Sequence, residues 1–128
     1  MLSQKAKDLF AALEMEYPAV AIKFHYCNPG SVEHTDEQLS FCQYVKKAQL
    51  SGKRFYIGKE DDDCFGKVVL GMEPKPPLAA SGIAGVDFGI YRTPAPNARL
   101  HASYPTLTAG SVNYAEFCPL ADCDFYPD

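Results

Sequence analysis

Apolar and polar positions fall into a helical period over residues 2–16. There Leu2, Leu9, Phe10 and Leu13 share one stripe, with charged residues opposite, which predicts an amphipathic helix. Tyr17-Pro18 ends it, because the residue before a proline is pushed out of helical conformation. The period then drops to two. In AVAIKFHY, Val20, Ile22, Phe24 and Tyr26 fall on one face, while Lys23, His25 and Cys27 fall on the other. This predicts a strand with one buried face, followed by a turn at Asn28-Pro29-Gly30.

Thr35-Asp36-Glu37-Gln38 has the spacing of a capping box and predicts a second helix from Asp36 to about Leu50, closed by Gly52. Its apolar positions, Leu39, Cys42, Val45 and Ala48, put Cys42 on the inward stripe. Arg54 to Gly58 (RFYIG) reads as a short strand. Asp62 or Asp63 can cap a short helix that begins near Cys64 and carries Val68, Val69 and Leu70. From Glu73 to Pro105 the pattern fades: PKPP, SGIAG and TPAPN read as loops, with strand at most around FGIY or YR. Ser111 to Phe117 alternates again, with Val112, Tyr114 and Glu116 on one side. The tail CPLADCDFYPD has no period, and there is no internal repeat. Helices interleaved with strands predict an α/β or α+β fold: one domain over residues 1–128, with a small mixed sheet and two to three helices.

Composition narrows the class. At 128 residues, 47% hydrophobic and 22% charged, the chain can build one core. A net charge of −4 without a basic block argues against nucleic acid and against anionic membrane surfaces. No apolar run is long enough to span a bilayer. Lys5, Lys7, Asp8 and Glu14 break up any signal-peptide core. A cytoplasmic protein is expected, with its five cysteines unbridged in a reducing compartment.

Those cysteines are the densest chemistry in the sequence. In EDDDCFG, Cys64 follows three aspartates. A helix N-terminus favours a thiolate by roughly 0.3–1 kcal/mol. One carboxylate about 8 Å away opposes it by roughly 0.5 kcal/mol in water and about 2 at an effective dielectric near 20. Cys64 is therefore not expected to be an acidic nucleophile, whereas a bound metal would hold it ionised. Cys118 and Cys123 form a C-x4-C pair, and no C-x2-C pair exists. Cys42, Cys64, Cys118 and Cys123 together would suffice for a thiolate metal centre if the fold brought them together. Ordinary packing of these cysteines is the competing expectation.

Other constellations are weaker. Glu60 to Asp63 offer four carboxylates to a hard cation, but a solvated, capping role is the simpler expectation. Lys23, His25 and Cys27 share a strand face on which a Cys–His pair is conceivable; the wet side of an edge strand is the plainer reading. His34 and His101 are expected in loops facing solvent. SGIAG reads as a turn. No serine-hydrolase, zinc-protease or phosphate-loop motif is present.

Three stretches together carry a family resemblance: YPAVAIKFHY, FCQYVKKAQLSGKRFYIGKEDDDCFGKVVLGM and VNYAEFCPLADCDFYPD. They resemble DUF169, an uncharacterised prokaryotic family frequent in anaerobes. The matching positions are Pro18 to Phe24, Cys42, Cys64-Phe65-Gly66 with Leu70-Gly71, and Pro119-Leu120 with Phe125-Tyr126-Pro127-Asp128. Family members usually run on beyond the Pro-Asp, so this chain is expected to be either a compact variant or one lacking a C-terminal portion, and an oligomer or protein partner is expected to cover the apolar surface left open. Cys118 and Cys123 lie outside the family pattern. The resemblance implies no agreed activity. Its anaerobic setting favours an iron–sulfur cluster over zinc on the four cysteines, in electron transfer or enzyme maturation. The alternative expectation is a metal-free assembly or small-ligand-binding module.

Overall fold

The computed structural model describes residues 4–128. Three antiparallel strands form its centre: β1 (Val20–His25), β2 (Phe55–Gly58) and β3 (Tyr114–Pro119), in the order β1-β3-β2. The last strand in sequence is thus the middle one in space. Ile22 pairs with Phe117 and Lys23 with Glu116 on one side, while Phe55 pairs with Phe117 on the other. With six helices among the described residues, this is a mixed α+β domain.

The alternation decides what each face meets. Helix α2 (Phe41–Ser51) lies on the face formed by Ala115 and Phe117 of β3 and Phe55 and Ile57 of β2, burying Tyr44 and Ala48. Val20, Ile22 and Phe24 of β1 pack against the same core, as their spacing predicts. Tyr26 does not: it lies past the strand end and is exposed. Phe55 stacks on Phe117 at 5.2 Å, and Phe41 meets Phe117 at 5.1 Å. The opposite face carries a smaller cluster of Ala21, Cys118, Leu120 and Cys123, closed by the tail.

The start of α2 differs from the sequence reading. Residues 33–39 are extended instead of helical, because β2 and the 60–63 turn claim their backbone. Thr35 N donates to Tyr56 O, Tyr56 N to Glu33 O, and Asp63 N to Leu39 O. The Thr35 hydroxyl accepts from Lys47 and is not the helix cap. Ser40 is the cap, and Gln43 accepts from the Ser40 amide at 2.8 Å. Gly52 closes the helix in left-handed conformation, as expected. The five-residue delay rotates the inward stripe onto Phe41, Tyr44, Val45 and Ala48, so Cys42 is exposed rather than inward.

Helix α1 (Gln4–Ala12) ends four residues before its expected end at residue 16, as Glu14 turns the chain with φ of +46° ahead of Tyr17-Pro18, while α3 (Gly66–Val69) forms near its expected position. Leu2 lies outside the described residues. Residues 73–105, expected to be loop and strand, instead hold α4 (Pro77–Ala80), α5 (Ile83–Asp87) and α6 (Pro94–Ser103). PKPP and TPAPN are helix starts, where proline is well tolerated. SGIAG runs into α5, and its glycines have a packing reason. A Cβ on Gly82 would lie 2.0 Å from Pro94 O, and one on Gly85 would lie 2.3 Å from Asn97 Nδ2.

Candidate functional sites

The acidic turn before Cys64 is an internal scaffold. Asp61 and Asp62 are buried. Asp61 Oδ2 accepts from Gly58 N at 2.7 Å and pairs with His34 Nε2 at 2.8 Å. The Tyr44 hydroxyl accepts from Leu39 N, and its single proton is shared between the main-chain oxygens of Glu37 and Asp61. His34 is therefore not the unpartnered loop histidine its sequence context suggests.

Asp62 Oδ1 caps the next turn by accepting from Cys64 N at 3.0 Å. Its Oδ2 is buried without a partner of full hydrogen-bond geometry. Burial raises the Asp62 pKa, and the neighbouring Cys64 thiol opposes that rise. Cys64 Sγ accepts from the amides of Phe41 and Gly66 at 3.4 and 3.3 Å. Burial nevertheless raises the Cys64 pKa, the Phe41 amide opposing and the Asp62 carboxyl adding to the rise. A neutral, packed thiol results, not an activated nucleophile.

The four sulfurs expected to form one centre are divided by the fold. Cys42 and Cys64 sit at the start of α2, where Cys42 Sγ lies 3.2 Å from Ser40 Oγ. Cys118 alternates away from Phe117 and so lies on the other face of the sheet, in one cluster with Cys123. Burial pushes the Cys118 thiol up to about 11, and Cys123 Sγ donates to Phe125 O at 3.0 Å. Among the described residues no group of three or more His, Cys, Asp or Glu is arranged to hold a metal ion. That finding covers the Glu60–Asp63 carboxylates as well.

The Lys23/His25/Cys27 face resolves differently for each residue. Cys27 is exposed past the strand end, and Lys23 lies over the Phe125 ring at 5.6 Å. His25 Nε2 turns to Glu116 Oε2 at 2.7 Å. Glu116, almost wholly buried, also accepts from Arg54 Nε. Arg54 reaches Asp124 at 2.9 Å and lies over Phe125. Two hydrogen bonds then fix the tail to the free edge of β1: Phe24 N donates to Asp128 Oδ2 at 2.8 Å and Asp128 N to Ile22 O at 2.9 Å. No local pattern signals the Glu116 partnership, because its members are dispersed along the chain. A second unanticipated cluster joins Phe65, His101 and Tyr104, with Lys75 over the Tyr104 ring.

One concavity stands apart from these satisfied networks. A cleft of about 360 Å³ lies between α1 and the short 3₁₀ turn Leu120–Asp122. Its walls are Phe10, Ala11, Met15, Pro18, Ala19 and Leu120, with Lys7 and Glu14 as its charged residues. Lys7 Nζ donates to Ala121 O at 3.1 Å across it.

The architecture therefore combines a half-buried Cys-x-Gly junction, a tail-strapped edge strand and an apolar cleft. A family model, DUF169 (uncharacterised ArCR), matches residues 8–128. The chain belongs to the DUF169 family. No curated protein and no solved structure matches it. Within this DUF169 chain the motifs now have physical causes. Gly66 stands beside Cys64 because a Cβ there would come within 3.1 Å of the sulfur. Gly71 has φ of +77°, and a Cβ would meet Thr108 O at 2.8 Å. Asp128 holds the edge of β1.

Proposed function

We propose that this DUF169 chain is a small-ligand-binding module whose site is the cleft beneath α1, and that its ligand is a small, mainly apolar carboxylic acid. The observation supporting the reading is the cleft itself. Its volume, about 360 Å³, lies within the roughly 300–1,000 Å³ typical of small-molecule sites. Its walls are hydrocarbon, and burying hydrocarbon there contributes roughly 25 cal/mol per Å². An ammonium carries three N–H donors; one from Lys7 goes to Ala121 O, and a ligand carboxylate at the mouth would take another. Elsewhere the buried carboxylates Glu116 and Asp61 are already engaged by protein partners, and Asp62, whose Oδ2 is unpartnered, is buried at the turn before Cys64 and does not line this cleft.

The test uses an environment-sensitive naphthalenesulfonate dye and three eight-carbon competitors: octanoate, octanol and octylamine. Octanoate is expected to displace the dye best. Lys7→Met should remove the advantage of acid over alcohol. Ala11→Trp places a large ring in the cleft from an exposed helix position and should abolish displacement by all three. Equal displacement by all three competitors from both wild type and Ala11→Trp would reject the site.

A further inference from the structure

The two charged residues of the cleft have opposite signs and stand well apart. Lys7, Phe10 and Ala11 line it from α1, at the three- and four-residue spacing of one helix face. Helical hydrogen bonding continues just past Ala12, with Leu13 N donating to Leu9 O and Glu14 N to Ala11 O, both at 3.2 Å. Seven residues at about 1.5 Å each therefore set the Lys7 and Glu14 backbones roughly 10 Å apart. The hydrocarbon of Phe10 and Ala11 lies between them.

Glu14 is also the one non-glycine residue with positive φ, +46°, among the described residues. A side chain in that region crowds its own backbone, and glycine would hold the turn without the strain. Strain of this kind collects at ligand sites, where a side chain is kept for what it does. Here the left-handed turn, not the helix period, sets the direction of the side chain, and Glu14 lines the cleft. Its carboxylate is exposed and carries no ion pair among the described residues.

We infer that the ligand is an ω-amino carboxylic acid: a linear aliphatic chain with its carboxylate at Lys7 and its ammonium at Glu14. The inference rests on the reading of the cleft as an apolar-acid site and narrows it. An extended eight-carbon chain, with carbon–carbon bonds of about 1.5 Å, spans about the Lys7–Glu14 separation. Its middle lies against Phe10 and Ala11, where burial of hydrocarbon favours it. A second carboxylate at the far end would meet Glu14 as a like charge, so dicarboxylates are disfavoured. Lys7 anchors any acid, and Glu14 determines which acid is preferred.

Dye displacement from the full chain at low salt, with octanoate, 8-aminooctanoate and octanedioate as competitors, tests this. 8-Aminooctanoate is expected to compete about threefold better than octanoate, within the range of an exposed ion pair, and octanedioate worse than either. Glu14→Gln should reverse the first order, leaving 8-aminooctanoate weaker than octanoate, and should bring octanedioate closer to octanoate. Glu14→Gly should lose the same preference while its thermal midpoint stays at or above that of wild type, so the loss cannot come from unfolding. Octanoate that competes while 8-aminooctanoate does no better would overturn the inference and leave the apolar-acid site standing. So would a preference for 8-aminooctanoate that survives Glu14→Gln. Failure of all three acids to displace the dye would remove both.

Discussion

Cys64 Sγ accepts a hydrogen bond from the amide of Phe41, the first residue of α2, 23 positions earlier in the chain. The same sulfur accepts from Gly66 N, the first residue of α3. One thiol thus satisfies an otherwise unpaired amide at the start of two helices, a task usually performed by side-chain oxygens. Replacing Cys64 by Ala should destabilise the domain by roughly 1 kcal/mol. Gly66→Ala should cost about as much by crowding the sulfur. Denaturant midpoints of the two variants check both values.

The environments of the five thiols predict an order of labelling. Cys27 and Cys42 are exposed, Cys64 is half-buried, and Cys118 and Cys123 are buried. An alkylating reagent at neutral pH should modify Cys27 and Cys42 first and Cys64 slowly. Cys118 and Cys123 should react only on unfolding, because burial both shields them and, for Cys118, holds the thiol protonated. Peptide mass mapping over time reads the sequence of events.

Because Cys118 and Cys123 are packed among Ala21, Leu120 and Phe125, the fold should not depend on a metal. Thermal midpoints with and without a strong chelator are expected to coincide. A large drop on chelation would instead favour an iron–sulfur or zinc centre on the cysteines.

Asp62 makes stability depend on pH. Burial raises its folded-state pKa, so the folded protein binds that proton more tightly than the unfolded chain does. This contribution is fully present below the unfolded pKa, near 4, and is lost as pH rises through the folded value. Asp62→Asn removes the titration. Its thermal midpoint relative to wild type should therefore rise between about pH 4 and pH 7. An unchanged difference across that window would contradict the buried, orphaned carboxylate.

Glu116 neutralises Arg54 and faces His25 from inside the sheet. Glu116→Ala should cost about 2 kcal/mol, less than for a fully buried pair because Arg54 and His25 keep some access to solvent. Glu116→Gln should cost less than the alanine change, as it retains an acceptor. Urea unfolding of the two variants distinguishes them.

What was legible in the sequence follows from how local each signal was. β1 could be read because Val20, Ile22 and Phe24 alternate against one core. The end of α2 could be read because Gly52 carries its own backbone signal. The start of α2 could not: the Thr35–Gln38 pattern is locally sound, but pairing of residues 33–35 with Tyr56 outcompetes it. Helices α4 and α5 span four and five residues, too few to display a period. Cys42 and Cys118 were grouped by residue type alone, and only the phase of α2 and the alternation of β3 reveal that they lie on opposite faces. The cleft was equally hidden, since its walls come from residues 7–19 and 120–121.

Amide chemical-shift mapping during titration with octanoate is the most direct measurement of whether the cleft is a binding site. Saturable shifts concentrated at Lys7, Phe10, Ala11, Ala19, Leu120 and Ala121 are expected, and they should be lost in Ala11→Trp. Shifts centred on the exposed Leu78, Phe88 and Ile90 surface, or no saturable shifts at all, would contradict it.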